Sequence, residues 1–218
     1  MAIRIKEPEL PRGLKIEREV LSLLERAGEE DKEIQEIWIK DACFSAEAFN
    51  RLSFSGLLME NCRWTGCGMR KTSFVDVELR GCDFSGSNFS GGYFSRCRFV
   101  NCKCMGAVFS DSVFRQISFV ECNFEYADMG KNVFESVSIQ DSNFKGVNLS
   151  ECRLKQFEAR DTRLAGASFF KTPLKGVDLT ECEIDGIILS DTHAELRGAV
   201  VNVYQAVELA KLLGVVVK

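Results

Sequence analysis

The segment Cys82-Asp83-Phe84-Ser85-Gly86-Ser87-Asn88-Phe89-Ser90-Gly91 holds two copies of one five-residue unit, and the unit continues on both sides of it through residues 42–192. Every fifth position from Phe44 to Leu189 gives thirty sites, all apolar, with no insertion to break the register. Fifteen of the seventeen phenylalanines lie on these sites. Neither the helical period of about 3.6 nor the strand period of 2 can produce that arrangement. The chain is therefore read as a fixed internal repeat before any single element is assigned.

With the large apolar site taken as the centre of each unit, a second restricted position lies two residues before it. Cys62, Cys67, Cys82, Cys97, Cys102, Cys122, Cys152 and Cys182 occupy it, with Ala, Ser, Thr or Val at most other copies. Residues two apart on an extended backbone point the same way, so both positions face one interior. The next inward residue follows three steps later, and that odd step requires a bend. Ten of the seventeen glycines sit there, two residues after the centre, where a chain corner suits them best. Cys62, Cys82, Cys102, Cys122 and Cys182 also share a register of twenty residues, or four units. Each unit is then one side of a square coil whose turns stack as parallel strands. Thirty units make seven and a half turns, a rod of roughly 36 Å at a strand spacing of about 4.8 Å.

The segment from Cys82 to Gly91 resembles two copies of the A(D/N)LXX motif of the pentapeptide-repeat family, and the resemblance covers about 150 of the 218 residues. It implies an all-β solenoid, a right-handed quadrilateral β-helix with short N- and C-terminal helical caps. The expected division is an N-terminal helical cap and linker over 1–36, the β-helix over 37–193, and a C-terminal helical cap and dimerisation module over 194–218. The tail, with Leu196-Arg197-Gly198, Tyr204-Gln205-Ala206 and Leu213-Gly214-Val215, is similar to the C-terminal module of the Qnr-type quinolone-resistance proteins. That similarity implies a homodimer joined end to end, a DNA mimic that occupies the DNA-binding surface of a type II topoisomerase, DNA gyrase or topoisomerase IV, and moderates quinolone inhibition. Many Qnr proteins carry loops inserted into the coil, and the register from Phe44 to Leu189 has no counterpart to them.

Composition narrows the classes further. The chain is 45% hydrophobic and 28% charged with a formal charge of −4, an ordinary soluble balance. Met1 to Gly13 lacks the apolar run of a signal peptide, and no stretch nears the roughly twenty apolar residues of a membrane span. The repeat absorbs nine of the ten cysteines as small interior residues, so a reducing cytoplasm is expected, with no metal and no other cofactor. His193, the only histidine, has no motif for nucleophilic catalysis around it, and the chain reads as a non-enzyme.

Outside the coil, Leu14, Ile16, Val20, Leu21, Leu23, Leu24 and Ala27 lie on one half of a helical wheel, which predicts an amphipathic helix stopped by Gly28 and covering the open first turn. Coiling is expected from near Ile37. Pro173 lacks an N–H and should weaken one rung, and Asn132 at an interior position needs hydrogen-bond partners. A second helix is predicted from Asn202 to Leu213. Its apolar residues Val203, Val207, Leu209, Leu212 and Leu213 spread over about 220° of the wheel, more than one contact needs, which marks them as the dimerisation surface.

Charge supplies the candidate partner surface. Asp41 to Ser110 carries six acidic and eight basic residues, whereas Asp111 to Asp191 carries fourteen acidic and nine basic. Glu121, Asp141, Asp161 and Glu181 share the twenty-residue register, so they form a ladder of carboxylates along one edge. The ladder reads either as a partner-binding acidic strip or as the ordinary preference of corners for polar residues such as Asp. A negative strip disfavours direct nucleic-acid binding, which needs clustered positive charge. The binding-protein alternatives to the topoisomerase reading are a scaffold for another cytosolic protein and a structural module without a specific partner.

Overall fold

A computed structural model describes residues 3–217. Between the ends, the chain is a square parallel coil. Its longest strands, β5 (Ser53–Glu60), β7 (Ser73–Arg80), β8 (Tyr93–Val100), β9 (Val113–Val120), β10 (Val133–Gln140) and β11 (Arg153–Arg160), lie side by side, with β6 (Arg63–Thr65) on another face beside β4 (Cys43–Ser45). Every pairing among them is shifted by twenty residues, as in Phe54 with Phe74 and Phe74 with Phe94. The faces without long strands keep the same register through isolated parallel bridges such as Asp83 with Lys103 and Asn88 with Val108.

The register stacks identical side chains, and this is where the core acquires its order. The rings of Phe54, Phe74, Phe94, Phe114 and Phe134 form one column with successive centroids 4.8, 5.2, 4.7 and 5.2 Å apart and interplanar angles of 16° or less. Edge-to-face contacts such as Phe84 with Phe89, at 84°, join neighbouring columns. Such pairs add about 0.5–1.5 kcal/mol each beyond the burial of their area. Of the thirty centres only Phe44, Leu154 and Leu189 are less than fully buried, so the five-residue pattern defines the interior almost without exception.

The corners are bought with left-handed backbone. Positive φ recurs every five residues, at glycine and non-glycine alike, as at Gly56 (58°) and Glu121 (54°). For a non-glycine residue this conformation is uncommon and costs energy, which the hydrogen-bonded ladder of adjacent turns offsets.

The N-terminal region departs from the predicted helix. Leu14 and Ile16 do not belong to it: Lys15–Glu17 is a strand, β1, that pairs with β3 (Ile37–Lys40), matching Ile16 to Trp38. The helix, α1, spans Val20–Glu30, runs through Gly28 and stops at Asp31, whose φ of 51° and N–H to the Ala27 carbonyl terminate it. Val20, Leu24 and Ala27 face the core beside Phe49 and Leu52, so α1 does cover the first turn. Coiling begins before Ile37, because β2 (Ile34–Gln35) already pairs with β5 in the twenty-residue register. The amphipathic pattern misled over Ile16 because backbone pairing with Ile37–Ile39 holds it in an edge strand that leaves its side chain exposed, and over Leu14 because it precedes that strand.

The ladder is interrupted over more than the one rung at Pro173. Strand β11 is the edge of its sheet, and residues 173–180 turn sharply, with Val177 N–H bonded to the Leu174 carbonyl, and pair instead with 195–200 through Leu174 to Glu195, Gly176 to Gly198 and Leu179 to Val200. A cleft of about 430 Å³ opens there between Leu154, Phe157 and Arg160 on one turn and Lys175 and Asp178 on the next. After it, a short 3₁₀ turn at Ala194–Leu196 leads to the terminal helix α2, Val203–Leu212.

Candidate partner-binding surfaces

Glu121, Asp141, Asp161 and Glu181 are all exposed on one corner of the coil, in line with Asp41, Asn61, Gly81 and Asn101 on earlier turns. Positive φ at Glu121, Asp141 and Asp161, at 54°, 49° and 45°, shows that the corner conformation is shared. Conformation does not dictate the charge. The next corner but one mixes Arg51, Lys71, Lys131 and Lys171, with φ values of 65°, 56°, 59° and 56°, with Asp111 and Glu151. A left-handed corner in this coil therefore accepts long basic residues as readily as Asp.

Pairing across turns sharpens the contrast. Elsewhere, several residues twenty apart are complementary: Lys40 with Glu60 at 3.7 Å, Arg115 with Glu135 at 3.3 Å, Lys155 with Glu135 at 2.6 Å, Lys145 with Glu125 at 3.5 Å and Arg163 with Glu183 at 3.2 Å. Like charges twenty apart, as at Arg51 with Lys71 and Glu158 with Asp178, occur there only in pairs. Among the described residues none of the four ladder carboxylates joins an ion pair. Stacked like charges on adjacent turns are destabilising, so this run of four carries a larger cost than the like-charge pairs elsewhere in the coil.

The second surface is the C-terminal end. Helix α2 begins with a capping box, in which the Asn202 side chain accepts the Gln205 N–H and Gln205 Oε1 accepts the Asn202 N–H. Gln205 is the only buried residue of the helix, and its amide donates to the Leu179 and Cys182 carbonyls at 2.7 Å each. The helix is thus docked on the last turns through polar contacts, a feature that apolar patterning could not reveal. Of the predicted apolar set, Val203, Leu212 and Leu213 are exposed, at 78%, 38% and 65%, while Val207 and Leu209 are half-buried. The wheel left out Tyr204, which at 86% is the most exposed large apolar side chain among the described residues, and Val216, beyond the helix, is exposed at 80%.

The interior cysteines are enclosed rather than presented to solvent. Nine cysteines are buried and free, Cys43 alone is exposed, and among the described residues no cluster of metal-binding side chains forms. Burial pushes the thiols of Cys97 up to about 12 and of Cys152 and Cys182 up to about 11, and it raises Cys104 well above the usual range. Each inner cysteine instead uses Sγ on backbone carbonyls, as Cys97 does with Phe74 at 3.3 Å. Among the described residues no helix is long and apolar enough to cross a membrane.

No curated protein matches the chain in sequence. Among solved structures, it is similar to a trypsin-treated variant of QnrB1, a plasmid-mediated fluoroquinolone resistance protein, at 20% identity and a TM-score of 0.53, over 98% of this chain and 99% of that one. HetL, a pentapeptide repeat protein involved in heterocyst differentiation regulation in the cyanobacterium Nostoc sp. strain PCC 7120, aligns over 82% of this chain and 95% of its own at 15% identity, with a TM-score of 0.41. The QnrB1 likeness concerns the fold alone. The sequence profile of the pentapeptide repeat region matches at residues 72–141 and 118–189, more than half of the chain, and with the unbroken square coil this establishes that the chain belongs to the pentapeptide-repeat family.

Proposed function

We propose that this chain is a non-catalytic cytoplasmic binding protein, a homodimer whose acidic strip docks on the cationic DNA-binding saddle of a type II topoisomerase, DNA gyrase or topoisomerase IV. The observation that carries the reading is the uncompensated ladder of Glu121, Asp141, Asp161 and Glu181, four like charges deep, in a coil where other like charges stack only in pairs and several turn-to-turn pairs are opposite. A charge column retained against its own repulsion is well suited to an oppositely charged partner, where complementary fields speed encounter and reject wrong surfaces.

The exposed apolar end supports the dimer. Joining two copies through Val203, Leu212 and Leu213 would cover side chains that a lone chain leaves in water. It would also bring the two acidic halves together in the middle of a rod of roughly 70 Å at the strand spacing already given. Modulation of quinolone inhibition would follow from occupying the surface that DNA uses. The reading is tested by adding the purified protein to gyrase at low salt and following supercoiling. Inhibition that a second, unrelated acidic protein does not cause supports it; absence of both binding and inhibition gives way to the scaffold reading.

A further inference from the structure

Residues 3–12 form neither helix nor strand, yet they run back along the coil in a regular way. The amides of Glu9, Lys6 and Ile3 donate to Asp76 Oδ1 at 3.1 Å, Gln116 Oε1 at 2.9 Å and Glu158 Oε2 at 2.9 Å. Donors three residues apart thus meet acceptors about two turns apart. Two turns rise about 9.6 Å, and three residues of polyproline II span about 9.3 Å, so the two repeats match to within a few tenths of an ångström. Ile5, Pro8, Pro11 and Leu14, again three apart, are half-buried, as are Ile3 and Leu10, whereas Arg4, Lys6, Glu7, Glu9 and Arg12 are exposed. A period of three belongs to polyproline II, since a strand would alternate every two.

Both prolines fall where no amide is needed. Pro11 rests on the Gly56 corner, its Cδ 3.5 Å from the point where a Cβ on that glycine would stand. Glu7 reaches Arg98 at 3.8 Å, and Arg96 holds the Asp76 carboxylate, its Nε at 2.6 Å, in position for the Glu9 amide. The bonds of Lys6 and Glu9 are solvent-exposed, so the segment is held by few contacts that open at low cost.

We infer that the corner from Gly56 through Asp76 and Gln116, with the adjoining Glu158 of β11, is a docking groove for an extended Pro-x-x-Pro segment of a partner protein, and that the chain's own Ile3–Arg12 occupies it in cis as a replaceable ligand. The groove reads main-chain N–H groups at every third residue and accepts pre-extended chain, which loses little entropy on binding. Tethering gives the resident segment a high effective concentration, so a free peptide competes poorly until that segment is weakened. This inference stands independently of the acidic strip.

The test uses the full-length chain carrying Lys6→Pro and Glu9→Pro, which removes two donated amides, and a fluorescent synthetic peptide with the sequence of residues 3–14. Fluorescence anisotropy is expected to show the peptide binding this variant at least tenfold more tightly than the unmodified chain. Adding Gln116→Ala should weaken binding roughly fivefold, as loss of one hydrogen bond does. A peptide with glycine at both proline positions should also bind less well. In the unmodified chain, hydrogen exchange at Lys6 and Glu9 should be at least tenfold slower than in the free peptide. No binding to the variant, binding indifferent to Gln116→Ala, or exchange at Lys6 and Glu9 as fast as in the free peptide would each overturn the inference.

Discussion

The side-chain oxygen of Asn132 accepts the backbone N–H of Ser112, one turn earlier, at 2.7 Å, while its own Nδ2 is buried without a partner. Ser87, Ser142 and Thr172 fill the same office for Cys67, Cys122 and Cys152 with a hydroxyl, and each of those hydroxyls also donates to a carbonyl. Asn132 thus carries an amide nitrogen whose two N–H donors its site does not use. Replacing it with threonine keeps the acceptor and removes the orphan, so Asn132→Thr is expected to stabilise the chain by about 1 kcal/mol. The check is a denaturant titration at constant slope, and a lower midpoint would show that the amide is satisfied.

The buried thiols make a second expectation. Cys43 is exposed and the other nine are enclosed, with burial raising the pKa values of Cys97, Cys152 and Cys182. A maleimide reagent should label one thiol in the native protein and ten after denaturation. Rapid native labelling of more than one would mean that the turns open.

Acid should loosen one anchor of the N-terminal segment. Partial burial pushes the Asp76 carboxyl up, but Arg96 and the Glu9 amide outweigh it and hold the group below its ordinary value. A carboxyl depressed in the folded state adds stability that is complete above its unfolded pKa and lost as pH falls through the folded one. Asp76→Asn should therefore destabilise the protein near neutrality, and the difference from the unmodified chain should shrink below about pH 4. A difference that stays constant into acid would show that the Asp76 charge contributes nothing.

The coil was legible because its information is periodic: a centre such as Phe94 faces the interior whatever its neighbours do, and only the square register buries it. The Glu121 to Glu181 column could likewise be placed from spacing alone, although its lack of counter-charge required knowing that Glu135 and Lys155 meet across turns. What escaped was aperiodic. Strand β1, the contacts of Ile3, Lys6 and Glu9 with the coil, and the anchoring of α2 by Gln205 all join residues far apart in sequence through backbone groups, which carry no side-chain pattern. Pro173 signalled a lost bond, but the pairing of 174–179 with 195–200 depends on how the next turn folds.

The exposed end of α2 gives an oligomerisation test. Val203→Glu with Leu213→Glu should convert a dimer to a monomer in light scattering without altering the melting of the coil, because Val203 is 78% and Leu213 65% exposed. An unmodified protein that is monomeric at micromolar concentration would remove the dimer from the account.

The central claim is that the carboxylate ladder is a binding strip. Reversing Glu121, Asp141, Asp161 and Glu181 to lysine leaves the interior untouched, since all four are exposed at a corner that the coil also builds with Lys71 and Lys131 elsewhere. The decisive measurement is the affinity for DNA gyrase as a function of salt, for the unmodified protein and this fourfold variant. The account predicts binding that weakens steeply with salt and falls at least tenfold in the variant while the dimer stays folded, because surface charges act through a screened field. Equal affinity of the two proteins, or no binding of the unmodified one at low salt, would contradict it.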